Sequence, residues 1–274
     1  MVNTIMNKLL SLCSKAALCC ALLTSNAQAT TILVKTNMGD FEAELFDTHT
    51  PKTVANFLSY VENGDYTDAV FHRSIKGFIV QTGGFTYDYE EHNVSRIETT
   101  EAVENEPVFS NVRGTIAMAK LGGNPDSATS QWFINTGDNA SNLDGQNGGF
   151  TVFGKVSEQG MEIIDAINYL KTYNLSPGNM TFAETPLQGL PAEDEVQVLT
   201  EKHLVLVESI TVINPEPETA SELPPLNDAD ANDDNTDSDV ADKEPESNDN
   251  SSSGGSLSWL LALFTATVAL RKQK

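Results

Sequence analysis

The chain has 274 residues, with 39 Asp+Glu against 16 Lys+Arg and a formal net charge of −23. That balance excludes nucleic acid as a main partner, because phosphate recognition needs clustered Lys and Arg, and it excludes attachment to anionic lipid through basic patches. Cys13, Cys19 and Cys20 are the only cysteines, so everything after residue 20 is free of thiol nucleophiles, zinc-thiolate sites and disulfides.

Taken in chain order, Lys8 opens a short basic region, an apolar run covers residues 9–23, and Ala27-Gln28-Ala29 supplies a small-x-small cleavage site. This layout predicts a secretory signal peptide over residues 1–29, with an N-terminal membrane anchor as the alternative. Residues 30–213 form the predicted folded body, long enough for one domain with a substantial core. Ile32-Leu33-Val34 and the alternating Phe41-Glu42-Ala43-Glu44-Leu45-Phe46 flank Asn37-Met38-Gly39-Asp40, which reads as a β-hairpin. Thr50 is placed to cap a helix that has Pro51 at its first position. Val54, Phe57, Leu58 and Val61 follow at helical spacing, and Gly64 stops it. Short strands are expected at 70–72, 78–81, 115–119, 131–135, 151–156 and 204–212, with a second short helix at 161–170. Many strands with two helices predict a mainly β fold, a closed antiparallel barrel capped by those helices.

Residues 214–253 contain 13 acidic residues and five prolines against Lys243 alone. Such a stretch buries too little apolar surface to offset its ordering entropy and is expected to be a disordered, extended linker. Gly254-Gly255 then lead into an apolar run, residues 257–270, closed by Arg271, Lys272 and Lys274. The run is shorter than a comfortable membrane span unless its flanks extend it, and its basic end would stay cytoplasmic. Segment 254–274 resembles the Gly-Gly C-terminal sorting signals of Gram-negative bacteria. The resemblance implies cleavage by a rhomboid-type intramembrane protease; a permanent tail anchor is the other reading. Either way the body is exported, to the periplasm or cell envelope.

The chemistry lies in a series of blocks. Phe71-His72-Arg73-Ser74-Ile75-Lys76-Gly77-Phe78-Ile79-Val80-Gln81 is followed by Gly114-Thr115-Ile116-Ala117-Met118-Ala119 and then by Ser130-Gln131-Trp132-Phe133-Ile134-Asn135. Leu143-Asp144-Gly145 and Val152-Phe153-Gly154-Lys155-Val156 complete the series. In order and spacing these resemble the motif blocks of cyclophilin-type peptidyl-prolyl isomerases. Asp126-Ser127-Ala128-Thr129-Ser130-Gln131 is most similar to the bacterial periplasmic branch. The resemblance implies an eight-stranded barrel and isomerisation of X–Pro bonds in exported proteins. It implies no cofactor, no metal and an expected monomeric body whose partners are proline-containing segments of envelope or secreted proteins.

By the same resemblance, Arg73, Phe78 and Gln81 are the catalytic residues. His72, Ile79, Ala119, Gln131, Phe133, Leu143 and Phe150 contact substrate. Phe78, Phe133 and Leu143 line the pocket for the proline ring, and Gln81 and Gln131 bond the peptide backbone. Lys120 stands beside Ala119. The reaction transfers no proton, so His72 is also read as a structural, hydrogen-bonded histidine. A cyclophilin-fold peptide-binding or chaperone module with little catalysis is the alternative function. A hydrolase is disfavoured, since the mature chain lacks cysteine and its histidines show no paired metal spacing.

The chain departs from the family pattern in several places. Thr82 follows Gln81 where glycine is common. Ile79 replaces Met, Phe150 replaces His or Tyr, and Asn142 replaces an aromatic residue, which implies weak cyclosporin sensitivity. Segments 86–106 and 171–201 are long, and the second reads only as an extra surface loop.

Overall fold

The structure, a computed structural model, describes residues 30–175, 180–189, 200–215 and 223–226. The expected signal peptide, most of the acidic linker and the Gly-Gly segment at 254–274 lie outside the described residues. Among the described residues no helix is long and apolar enough to cross a membrane.

The fold is mainly β. Among the described residues the thirteen short strands are β1 (Thr30–Thr36), β2 (Phe41–Leu45), β3 (Ala69–Val70), β4 (Arg73–Ile75), β5 (Ile79–Thr82), β6 (Phe85–Asp88), β7 (Asn93–Arg96), β8 (Thr115–Met118), β9 (Trp132–Asn135), β10 (Val152–Val156), β11 (Thr172–Tyr173), β12 (Thr185–Pro186) and β13 (Leu206–Pro215). Helices α1 (Pro51–Asn63) and α3 (Gly160–Tyr169) match the two expected, and a four-residue α2 (Ala140–Leu143) was not expected. Where eight barrel strands were predicted, eleven hydrogen-bond into one sheet in the order β4-β5-β9-β8-β10-β2-β1-β13-β3-β6-β7. Of the strand expected at 70–72 only Val70 lies in a strand, at the end of β3, and Phe71 and His72 separate β3 from β4. These two pieces stand far apart in the hydrogen-bonded order yet are nearly contiguous in the chain, so the sheet must curl back on itself there. Thr82 Oγ1 spans that turn by donating to the Val70 carbonyl (3.0 Å), and the Phe71 amide donates to Val205 (2.9 Å).

One face of the curled sheet, with α1 and α3 packed against it, holds the main core. Phe57 from α1 lies among Tyr66, Trp132 and Phe153, with ring centroids 5.1–5.8 Å away. Burying each such side chain is worth roughly 1.5–3 kcal/mol. The Thr50 side chain does not cap α1; its hydroxyl turns back to the Phe46 carbonyl. The carboxylate of Glu106 takes the first-turn amides instead, accepting from Lys52 (3.3 Å) and Thr53 (2.9 Å). A negative group there also complements the helix dipole. Gly64 does end the helix, in the left-handed conformation at φ 76°.

Three sequence expectations need correction. The described residues of the expected loop at 171–201 include paired strands. β11 and β12 pair with each other, and Phe182 stacks on Phe85 at 4.7 Å. The body also runs past residue 213, since Asn214 and Pro215 belong to β13 and pair with Thr31 and Thr30. Residues 223–226, expected to be disordered, are bonded to residues 108–110.

Candidate active site

Register brings the site together. Arg73 on β4 lies opposite Gln81 on β5, Gln81 opposite Phe133 on β9, and Phe133 opposite Ala117 on β8. Directly paired residues present their side chains on one face of a sheet, so a cation, an amide and an aromatic ring stand in a row. The period of two sends Val80 and Ile134 into the main core, while Ile79 and Phe133 turn to the other face.

The polar half of the row is a chain of hydrogen bonds. Arg73 Nη1 donates to Gln81 Oε1 (3.4 Å), and Gln81 Nε2 donates to Gln131 Oε1 (2.9 Å). Arg73 Nε donates to Glu184 Oε2 (3.4 Å), with the arginine side chain 12% and the glutamate 32% exposed. Burial lowers the Arg73 pKa while Glu184 raises it. A guanidinium stays protonated under such opposing effects.

The apolar half is a second cluster, separate from the main core. Phe46, Ile79, Phe109, Ala117, Phe133, Leu143, Phe150 and Val152 form it, with Phe78 and Ala119 half-buried against it. Phe133 and Phe150 meet edge to face at 5.8 Å. Lys120 is almost fully buried and donates to the carbonyls of Asn147 (2.8 Å) and Gly149, with its ammonium 5.0 Å from the Phe150 ring. Desolvation lowers its pKa to about 8. Lys120 thus holds the loop that presents Phe150, which sequence reasoning noted only as a neighbour of Ala119.

Supporting elements fix this face from behind. Asn168 of α3 receives the Gly77 amide (2.9 Å) and donates to the Ile75 carbonyl (3.0 Å), clamping the β4–β5 hairpin. Asn139 donates to the Phe78 carbonyl (2.8 Å), and its own carbonyl receives the Leu143 amide. Thr82, the departure after Gln81, is fully buried and continues β5 opposite Trp132. Asn142 is exposed beside buried Leu143.

Of the ten residues singled out from sequence, nine belong to this row or cluster, and His72 stands behind it. The ring of His72 is 2% exposed and packs edge-on to Phe85 (5.1 Å) and Phe182 (6.2 Å). Desolvation lowers its pKa to about 4, assisted by the nearby charges of Arg73 and Arg96 and opposed by hydrogen bonding to Val70 and Gln131.

Glu184 was missed. It comes from the segment that sequence reading could not place, and nothing separates it there from the many other acids of this chain. Its backbone carbonyl accepts from the Ser74 amide (2.8 Å), and Thr185 Oγ1 donates to the His72 carbonyl (2.9 Å). Removing a partly exposed partner costs an ion pair about 0.2–1 kcal/mol. Glu184→Ala is therefore expected to lower kcat/KM for whatever reaction Arg73 serves by roughly two- to fivefold, with Arg73 less well held. Turnover that is unchanged in the variant would show that Glu184 does not orient Arg73.

A fixed cation joined to two side-chain amides thus stands beside an apolar cluster on a mainly β scaffold. Residues 31–187 match the family model of the cyclophilin type peptidyl-prolyl cis-trans isomerases. The chain is 42% identical over 155 residues to a peptidyl-prolyl cis-trans isomerase of Acinetobacter baylyi, covering 55% of this chain and 79% of the relative. It is 43% identical over 152 residues to peptidyl-prolyl cis-trans isomerase A of Dickeya dadantii, covering 54% and 76%. To peptidyl-prolyl cis-trans isomerase B of Escherichia coli it is 38% identical over 183 residues, covering 65% and 96%. The chain belongs to the cyclophilin family and is a peptidyl-prolyl cis-trans isomerase.

Proposed function

We propose that the Arg73 row performs the isomerisation on exported proteins. Rotation about an X–Pro bond breaks amide resonance, at a barrier of ~18–20 kcal/mol. In the planar ground state the prolyl nitrogen has no available lone pair. At the twisted transition state it is pyramidal and accepts a hydrogen bond. A donor aimed at that nitrogen stabilises the transition state and not the ground state, which is the requirement for catalysis. Arg73 is that donor. Gln81 and Gln131 take the peptide backbone, and Phe78, Ile79, Ala119, Phe133, Leu143 and Phe150 hold the proline ring. His72 packs behind the row without touching substrate.

The observation that carries this reading is the shared face. Arg73, Gln81 and Phe133 stand in direct register, with the Gln81–Gln131 bond at the junction of the polar and apolar halves. The family's closed eight-stranded barrel stays part of this proposal, beside a single sheet of eleven strands whose edges are β4 and β7 among the described residues. The test is turnover of a series of X–Pro tetrapeptides, each paired with its X–Ala control for binding. Binding of the X–Pro peptides without acceleration of their isomerisation would replace the enzyme reading with a binding module.

Export rests on the two ends of the sequence. We infer removal of residues 1–29 after Ala29, a tether through the acidic stretch beyond β13, and sorting or anchoring through residues 254–274. The rhomboid-type protease acting near Gly254-Gly255 is part of that proposal. Intact mass of the protein taken from its own cells should lack residues 1–29. A mass that retains residues 256–274 would remove proteolytic sorting and leave a tail anchor.

A further inference from the structure

The acidic stretch contains one apolar interruption, Leu223-Pro224-Pro225-Leu226. Its main chain runs antiparallel to residues 108–110, with Pro225 opposite Phe109. The Ser110 amide donates to the Pro224 carbonyl (3.1 Å), Ser110 Oγ donates to the Pro225 carbonyl (2.8 Å), and the Leu226 amide donates to the Val108 carbonyl (3.0 Å). Leu223 and Leu226 are half-buried, while both prolines face outward. Leu223 packs on the same apolar cluster that contains Leu143 and Phe150. Leu226 lies over Gly149, where an added Cβ would be 3.6 Å from its Cδ1.

This pattern follows from the chemistry of an extended proline segment. A polyproline-type strand repeats every three residues, so residues i and i+3 share a side. That places both leucines against the body and both prolines in solvent. Proline has no N–H, so neither proline leaves a donor unpaired, and both proline carbonyls find donors on Ser110. The outward rim of prolines cannot extend the sheet to a further strand. Proline also prepays part of the ordering entropy, which favours docking of so short a segment.

We propose that residues 108–110 together with Gly149 form a second peptide-docking site, which borders the apolar cluster on the side of Phe109. It takes extended Leu-Pro-Pro-Leu segments, and residues 223–226 of this chain are its occupant. The site anchors the acidic tether at a fixed point beside the isomerase cleft.

The test uses the full chain and a double variant, Leu223→Asp with Leu226→Asp. A fluorescently labelled peptide of residues 221–228 is titrated against each by polarisation. The tethered segment competes at an effective concentration of about millimolar. The variant should therefore bind the peptide at least tenfold more tightly than wild type, and a peptide with both leucines replaced by Asp should bind neither protein. Equal binding to both proteins would mean capture by the isomerase pocket, and binding to neither would mean no docking site; either overturns the proposal. Hydrogen exchange provides a reading in the wild-type chain itself. The Ser110 amide should be protected there and exchange at least tenfold faster in the variant. A Ser110 amide that exchanges at the rate of an open one in wild type would likewise overturn it.

Discussion

Arg73→Ala lowers kcat/KM on an X–Pro tetrapeptide by about 10²–10³-fold, the cost typical of removing one preorganised donor from a transition state. The physical reason is selectivity. The guanidinium interacts weakly with a planar amide and strongly with a pyramidal nitrogen, so its loss falls on kcat more than on KM. Little stability should go with it. Gln81 and Gln131 keep their mutual bond, and Glu184, one-third exposed, is rehydrated once its partner is gone. Arg73→Lys should recover at most about tenfold of the loss, because a point ammonium cannot serve Gln81, Glu184 and substrate with the geometry of a planar fork. Magnetisation-exchange NMR on a proline peptide measures all three proteins without a coupling protease. If Arg73→Ala kept half of wild-type turnover, the donor would have to be sought elsewhere in the row.

The activity requires little of the protein beyond placement, and this explains what could be read from sequence. Arg73, Gln81 and Phe133 were legible through the blocks that resemble the cyclophilins, and the register that sets them on one face came only with the fold. The helix at 51–63 was equally legible, since Pro51, the apolar spacing and Gly64 are all local signals. The same holds for the β1–β2 hairpin.

Features made by distant pairing were not legible. Glu106 lies more than fifty residues from the helix start that it serves, and Glu184 is more than a hundred residues from Arg73. In a chain with 39 acidic residues neither carries a distinguishing mark. The strand expected at 70–72 failed for a related reason. Its residues are individually good strand formers, but Phe71 and His72 are where the chain leaves β13 for β5, and only the tertiary arrangement determines that bend. Residues 223–226 were misread because composition averages over a window. Two leucines among forty mostly polar residues do not change the mean, yet three residues apart in a proline segment they form one apolar side.

His72 gives the second large expected effect, on stability rather than rate. In the folded chain its pKa is lowered to about 4, chiefly by burial, whereas in the unfolded chain it returns to about 6.5. Above ~pH 6.5 the imidazole is neutral in both states and adds no pH dependence. Between ~pH 6.5 and ~pH 4 the unfolded chain binds a proton that the folded chain refuses, so stability falls as the pH falls. The loss is about 2 kcal/mol by pH 4.5 and approaches about 3 kcal/mol below pH 4, a large part of the ~5–15 kcal/mol that holds an ordinary domain. Carboxylates titrate in the lower part of the same range, so the wild-type curve alone does not isolate the histidine. His72→Gln does, because it keeps a polar group between Phe85 and Phe182 while removing the titration. Urea unfolding from pH 7.5 to pH 4.5 should give a wild-type curve that falls about 2 kcal/mol further than that of His72→Gln, whatever their offset at neutral pH. Parallel curves would mean that the His72 imidazole accepts its proton inside the fold, and so that the packing around it admits a charge.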